Sequence, residues 1–287
     1  MSVTACSSLV ELCEARTGEQ PWHVNLVQPV INGGKTSAEA LAKIDEQPAA
    51  TALTISGLDQ KTFELLVQRY GQRFSGLHLW KCPRIADFAP LEDLAHLTYF
   101  ASYWNQRSTR LWNFARTPRL AGLSFRDFRR LTQLTDLSGA KSLRELEFGD
   151  AIFKKARFES LAPLGSLEQL ETLDVAARSI DDGRVQPLAK LSQLRSLELS
   201  LNLFTTRQLA WLRARLPDSV KSQSLVPLWY LEGDGLGEGS RRRDVLLVGR
   251  GQRSLSSALD GARIQKHQQD FWALVAAFRA DPGAEPE

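Results

Sequence analysis

The stretch LRSLELSLNLF (residues 194–204) sets the pattern that most of the chain follows. Its spacing, L-x-x-L-x-L-x-x-N-x-L with a closing aromatic residue, returns with little change upstream in LRELEFGDAIF (143–153) and LETLDVAARSI (170–180). The alternation at the fourth and sixth positions puts those apolar side chains on one face of a short strand. Tandem copies of one such unit predict a stack of parallel strands.

The same frame extends back to residue 50. Its first positions are Ala50, Phe74, Leu97, Leu120, Leu143, Leu170 and Leu194, at intervals of 24, 23, 23, 23, 27 and 24 residues. The first, fourth and sixth positions of these copies are apolar at 20 of 21 sites, Ser102 being the exception, whereas a chain with 43% hydrophobic residues gives about nine by chance. The frame therefore predicts about seven repeats.

The segments between strands differ in their periodicity. Before several strands the apolar residues recur every third position, as in Leu91, Leu94 and Leu97, which suits 3₁₀ turns or extended chain better than an α-helix. Two segments have helical spacing instead, one after Asp59 and one after Thr206. We therefore expect mostly short, irregular connections and two helices between the strands.

These features resemble leucine-rich-repeat proteins over about residues 50–204. The period of three is most similar to bacterial internalin-type repeats, although their secretion signal is not seen. The resemblance implies an α/β solenoid with a curved parallel sheet and a partner protein bound on its concave face. It also implies Asn or Cys at the ninth repeat position, as at Cys82, Asn105 and Asn202.

The chain outside the repeats is expected to cap them. Residues 1–49 are predicted to be an N-terminal cap with a short helix and an edge strand, and residues 50–219 the solenoid. Residues 220–287 are predicted to be a C-terminal capping module, a β-hairpin around the glycine-rich run 233–239 followed by a helix. Caps are needed because an open end of a solenoid leaves core side chains in water.

Composition and motifs give no sign of catalysis. The formal charge of +3 is small, three cysteines lack a C-x-x-C spacing, and four scattered histidines belong to no catalytic or metal-binding motif. We therefore expect no enzyme activity, no cofactor and no metal. No apolar run is long enough for a membrane span and no secretory signal is seen, so we expect a cytoplasmic protein.

Side chains at the third, fifth, seventh and eighth positions should face outward on the sheet. In the N-terminal half the candidate partner-binding residues are aromatic, with one arginine: His78, Trp80, Tyr99, Tyr103, Trp104 and Arg126. In the C-terminal half they are acidic: Glu145, Glu147, Asp174 and Glu198. Exposed tryptophan and tyrosine are typical of interface hot spots, and stacked carboxylates repel one another, so we expect a protein partner with a basic surface.

Alternatives remain at each of these places. The N-terminal segment or a long loop could cover the aromatic residues, and the carboxylates could form an ordinary solvated face. Residues 99–130 also interleave arginines with aromatic residues, which favours nucleic-acid or phosphate binding as a second hypothesis. Most of these arginines are predicted to lie in turns and convex segments, away from the sheet face. The sequence does not determine the oligomeric state.

Overall fold

The computed structural model describes residues 5–18, 20–150, 156–232 and 243–286. Within them a parallel sheet runs in the order β1-β2-β3-β4-β5-β6-β8-β9, with β7 beside the C-terminal half of β8. The strands are β1 His23–Leu26, β2 Ala52–Ile55, β3 Gly76–Trp80, β4 Tyr99–Asn105, β5 Gly122–Phe128, β6 Glu145–Gly149, β7 Ala156–Phe158, β8 Thr172–Ile180 and β9 Ser196–Leu199. Seven of these strands begin at the third position of a predicted repeat, while β1 and β7 lie outside the frame.

The register of the sheet aligns equivalent repeat positions. Leu53 pairs with Leu77, which pairs in turn with Phe100, so that the fourth positions of successive copies stack in one buried column. One continuous apolar core lies behind the sheet and runs from Val24 to Phe278. The chain is a leucine-rich-repeat solenoid, and the predicted fold class is confirmed.

Short 3₁₀ helices form most of the convex side, as the period of three predicts. The backbone N–H of Leu94 donates to the carbonyl of Leu91 at 3.0 Å, and that of Leu97 donates to Leu94 at 2.9 Å. Each apolar residue is thus bonded to the apolar residue three positions before it. The 3₁₀ segments of these connections are Ala89–Asp93, Phe114–Arg116, Thr135–Gly139, Ala162–Ser166 and Gln186–Lys190.

The two predicted helices are present. Helix α2 (Gln60–Tyr70) begins at Asp59, whose carboxylate accepts from the N–H of Thr62 in a capping box. Helix α3 (Thr206–Arg215) is capped by Thr205, one residue earlier than the sequence suggests. Gly71, at the end of α2, has a right-handed φ of −56°, and a Cβ there would lie 2.7 Å from Leu94 Cδ2, so a larger residue would require the Leu94 side chain to shift.

The ninth repeat position has its expected role in some copies. Asn105 is buried and donates to the carbonyl of Ile85, while its Oδ1 accepts from the N–H groups of Arg107 and Ser108. The thiol of Cys82 is buried and faces a strand carbonyl, and burial raises its pKa to about 12, which suits a structural cysteine. Asn202 is exposed and does not bridge a turn in this way.

The terminal segments attach at different places. Helix α1 (Leu9–Glu14) lies on the concave face, the side of the sheet opposite the 3₁₀ helices, rather than at the end of the solenoid. At the C-terminus β10 (Leu228–Tyr230), β11 (Val245–Leu247) and β12 (Ser254–Leu255) form an antiparallel sheet. Helix α4 (Gly261–Ala280) packs on α3. The predicted glycine-rich turn 233–239 lies outside the described residues, and the three-part division of the chain stays a prediction.

Candidate functional site

The concave face is arranged in rows, because the parallel register brings equivalent positions side by side. The row of fifth positions is Thr54, His78, Ala101, Ser124, Glu147, Asp174 and Glu198. The row of seventh positions contains Trp80, Tyr103 and Arg126 in adjacent strands. The structure therefore brings all the predicted site residues onto one face of the sheet or to its strand ends.

Helix α1 covers the part of this face that the sequence assigns to aromatic contacts. Leu9 and Leu12 are fully buried against Tyr99, Ala101 and neighbouring small residues. The hydroxyl of Tyr99 donates to the carbonyl of Ser7 at 2.6 Å. Tyr99 is 9% exposed and His78 only 3% exposed, so the prediction that both offer surface to a partner is wrong for this conformation.

Small residues in the sheet make room for the helix. A Cβ added to Gly76 would lie 3.2 Å from Leu12 Cδ1, and one added to Gly122 would lie 3.2 Å from Leu9 Cβ. Ala52 and Ala101 complete this helix trough, which we define by these four residues. Alanine and glycine at outward positions of four successive strands were a signal in the sequence, because solvated strand positions rarely favour glycine.

Two histidines of the sheet, His78 and His23, are buried as neutral imidazoles. Burial lowers the pKa of His78 to about 3, and the positive charge of Arg16 acts in the same direction. Burial also lowers the pKa of His23 to about 4. His23 Nε2 lies 2.7 Å from the hydroxyl of Thr54, whereas the Nδ1 atoms of both histidines have no hydrogen-bond partner. These rings are therefore structural groups that resist protonation.

Three aromatic residues remain partly exposed at the strand ends, and we call Trp80, Tyr103 and Trp104 the aromatic rim. The rings of Trp80 and Tyr103 stack with centroids 4.6 Å apart. The guanidinium of Arg16 lies 3.9 Å from the centre of the Trp80 ring, a cation–π contact that the sequence analysis did not anticipate.

The backbone at the rim is unusual. The eighth position of four successive repeats is left-handed, with φ of +71° at Gly57, +55° at Lys81, +66° at Trp104 and +57° at Asp127. A tryptophan in this region is an outlier, costing about 1–2 kcal/mol. Such strain persists only where the surrounding structure fixes it, and it is concentrated at functional positions.

A groove of about 730 Å³ opens beside the rim. Tyr103 and Trp104 form one side, and Phe128 and Leu131 lie deeper. Ile31, which is 93% exposed, stands at its edge, and the ammonium group of Lys81 donates to the Ile31 carbonyl at 2.8 Å. Ile31 is not among the predicted site residues, although an apolar residue beside Asn-Gly-Gly in a turn is a visible signal in the sequence.

The acidic half of the face is already partly neutralised from within. Arg126 Nη2 lies 2.6 Å from Asp174 Oδ2, and Arg126 Nε lies 3.4 Å from Glu147 Oε2. Glu198 accepts from the N–H of Gln223, and Glu145 accepts from the N–H of Leu9. These intramolecular donors relieve much of the repulsion among the carboxylates, so repulsion alone does not require a basic partner.

Part of the stacking surface that the nucleic-acid hypothesis requires is buried. Trp112 and Phe114, which alternate with the arginines in sequence, are buried in the core. The exposed arginines are distributed over strand ends, loops and the convex side: Arg107, Arg110, Arg116, Arg119, Arg129 and Arg130. Within this segment the partly exposed aromatic rings are Tyr103 and Trp104, which line one groove together with Arg129, whereas the buried rings of Trp112 and Phe114 cannot stack on bases.

Several further features bear on the class of site. Over the described parts of the chain, no group of three or more His, Cys, Asp or Glu residues is arranged to hold a metal ion. Cys6, Cys13 and Cys82 are free thiols, and burial raises the pKa of Cys6 to about 11. In the same described ranges, helices are either too short or too polar to cross a membrane.

The chain is similar to several solved structures at low sequence identity. No protein-family model and no curated protein matches the sequence. Similar solved structures include the internalin InlF of Listeria monocytogenes, with 20% identity over 65% of this chain and a TM-score of 0.48. A leucine-rich-repeat protein of Leptospira interrogans has 15% identity over 74% of this chain and a TM-score of 0.46. The chain covers 57% and 56% of those two proteins, little more than half of their length.

Proposed function

We propose that this protein is a non-catalytic scaffold that binds another protein at the aromatic rim of its concave face. The observation that carries the proposal is the stacked pair Trp80 and Tyr103 beside the strained Trp104, all three partly exposed. Partly exposed tryptophan and tyrosine on a rigid sheet bury much apolar area at little cost in side-chain entropy, which is the composition of interface hot spots.

The position of the rim supports this proposal. Helix α1 covers the N-terminal part of the concave face, so the rim and the adjoining groove form the apolar surface available beside it. Each rim residue should contribute more than about 1 kcal/mol to binding, because truncation removes a large ring from a desolvated contact. The summed binding free energy of the three residues would correspond to a partner held by a few large side chains rather than by the whole sheet.

The test is affinity capture from the native source with the wild type and a Trp80→Ala, Trp104→Ala double variant. We expect the double variant to retain partners at least about tenfold more weakly, from the summed loss of two anchors. Trp272→Ala is the matched control, since Trp272 is 43% exposed on α4 and lies outside the concave face. Equal capture by the double variant and the control would reject the rim as the binding site.

We further propose that the partner presents a basic surface to the C-terminal half of the face. Four carboxylates, Glu145, Glu147, Asp174 and Glu198, lie on that half, and Arg126 of the neighbouring strand pairs with only two of them, so we expect a negative excess there. Adding lysines at two partly exposed positions that hold no ion pair, Thr172→Lys and Ser196→Lys, avoids disturbing Arg126. We expect slower association with the captured partner, because complementary charge acts mainly on the on-rate.

The same variant separates protein binding from nucleic-acid binding. Added lysines should strengthen the binding of a mixed-sequence oligonucleotide, and high salt should weaken it steeply as counterions return. Binding to both the partner and the oligonucleotide is measured at two salt concentrations. Tight, salt-sensitive oligonucleotide binding by the wild type would overturn the protein-binding proposal in favour of the arginine-rich surface.

A further inference from the structure

We infer that the helix trough is a docking site for a short amphipathic helix of the partner, and that α1 occupies it in cis. This inference rests on the proposed function and names the kind of partner segment that the face accepts. The segment would present two large apolar residues three positions apart, as Leu9 and Leu12 do, toward Ala52, Gly76, Ala101 and Gly122.

The first observation is that α1 packs as a separate unit. Leu9, Leu12 and Ala15 form a cluster with Trp22 and Tyr99 that is distinct from the main core behind the sheet. The leucines and phenylalanines of the repeats are buried among themselves on the opposite side of the strands. Release of α1 would thus expose the trough without opening the core that stabilises the solenoid.

The second observation is that three hydrogen bonds from the sheet to the segment around α1 are made to its backbone atoms. The Tyr99 hydroxyl donates to the carbonyl of Ser7, and the Glu145 carboxylate accepts from the N–H of Leu9 at 3.1 Å. The Asn25 side-chain amide donates to the carbonyl of Arg16 at 2.7 Å. None of these three contacts depends on the side chain of the residue that is held. A different helix with the same leucine spacing can therefore make all of them.

The trough and the rim adjoin each other. Arg16, which follows α1 in the N-terminal segment 5–17, covers one face of the Trp80 ring. Ala101 of the trough lies two residues before Tyr103 of the rim on the same strand. Displacement of residues 5–17 would therefore free Trp80 as well, and a partner helix entering the trough would lead the rest of that partner onto the rim.

The test uses a fluorescent peptide with the sequence of residues 5–18 and the full-length protein. Because α1 is tethered through a short linker, its effective concentration is on the order of millimolar, so a free peptide should compete poorly with it in the wild type. A Leu9→Glu, Leu12→Glu variant should release α1 and bind the peptide at least about tenfold more tightly, by fluorescence anisotropy. Val10→Glu is the matched control, because Val10 is 52% exposed on the solvent side of α1.

Two controls locate the binding in the trough. A peptide with both leucines replaced by alanine should not bind the released variant. Gly76→Leu in that variant should abolish peptide binding, because its side chain would fill the space that Leu12 occupies. A folded, released variant that binds the peptide no better than the wild type would overturn the inference, as would binding that Gly76→Leu does not reduce.

If the charged variant does not fold, hydrogen exchange on the wild type decides. Peptide added above the roughly millimolar effective concentration of α1 should speed hydrogen exchange of the amides of residues 9–14 and leave exchange of the strand amides unchanged. If the amides of α1 exchange only when the whole protein unfolds, the inference is refuted. If the wild type forms a dimer in sedimentation by exchanging α1 between two copies, the trough binds the helix of a second copy. That result would overturn the assignment to a partner helix. Trp104→Ala should weaken partner capture but not peptide binding. This variant therefore distinguishes an error in the proposed binding site at the rim from an error in the proposed helix docking at the trough.

Discussion

Replacing His78 with leucine should make the protein more resistant to acid. His78 is 3% exposed, and burial lowers its pKa from the ordinary value of 6.5 to about 3. Below pH 6.5 the unfolded chain binds a proton at this residue that the folded chain does not, so stability is lost as the pH falls. Between pH 7.5 and 5.0 this loss amounts to about 2 kcal/mol, from ~1.4 kcal/mol per pH unit below the unfolded pKa.

Other groups titrate in the same range and must be separated from His78. Burial raises the pKa of Glu145 and of Glu198, so their contribution to stability grows as the pH falls through the raised values and opposes the histidine effect. His23, with a pKa lowered to about 4, adds its own loss. All three are present in the wild type and in the variant, so the difference between the two proteins isolates His78.

The assay is urea unfolding at pH 7.5 and 5.0, followed by circular dichroism. We expect the wild type to lose about 2 kcal/mol more than His78→Leu between the two pH values. Ser124→Ala, in the same row of the sheet, removes no titratable group and should behave as the wild type does. Equal losses in His78→Leu and the wild type would show that this imidazole is not buried under α1.

Three further substitutions test the fold and the face. Asn105→Ala should cost about 2–3 kcal/mol in urea unfolding, since it leaves buried backbone groups unpaired, whereas the exposed Asn202→Ala should change stability by less than about 0.5 kcal/mol. Arg126→Met should lower the thermal midpoint by about 2–4 °C, as it removes two partly exposed ion pairs, and high salt should shrink the difference. Asp59→Ala should cost about 1 kcal/mol by loss of the capping box, and an unchanged midpoint would contradict the cap.

The repeat frame could be predicted because its causes are local. Strand starts at Ala52, Gly76 and Tyr99 follow from the third position of each copy, and the 3₁₀ bonds between Leu91, Leu94 and Leu97 follow from apolar spacing alone. Each depends on neighbours in sequence or on the next repeat, which the same spacing specifies. Periodicity therefore predicted the scaffold nearly residue by residue.

The candidate site was harder to predict because its contacts are remote in sequence. Glu145 accepts from the N–H of Leu9, and Arg126 reaches across strand β6 to Asp174. Position in the frame identified these residues as outward-facing but not their partners. The fold-back of α1 could have been inferred from the small residues Gly76 and Gly122, which leave space that only a covering element fills.

The bonded 3₁₀ turns also determine how such a chain can change in length. Each strand and turn is hydrogen-bonded to the equivalent residues of its neighbours. Removal of one whole repeat, such as residues 97–119, would therefore place Leu120 where Leu97 was and keep the stacked columns of equivalent residues intact. Removal of a single residue within a strand instead turns its leucines toward water. The strands should therefore be gained or lost only with whole repeats, whereas the connections can differ by a few residues, as the intervals of 23 to 27 residues show.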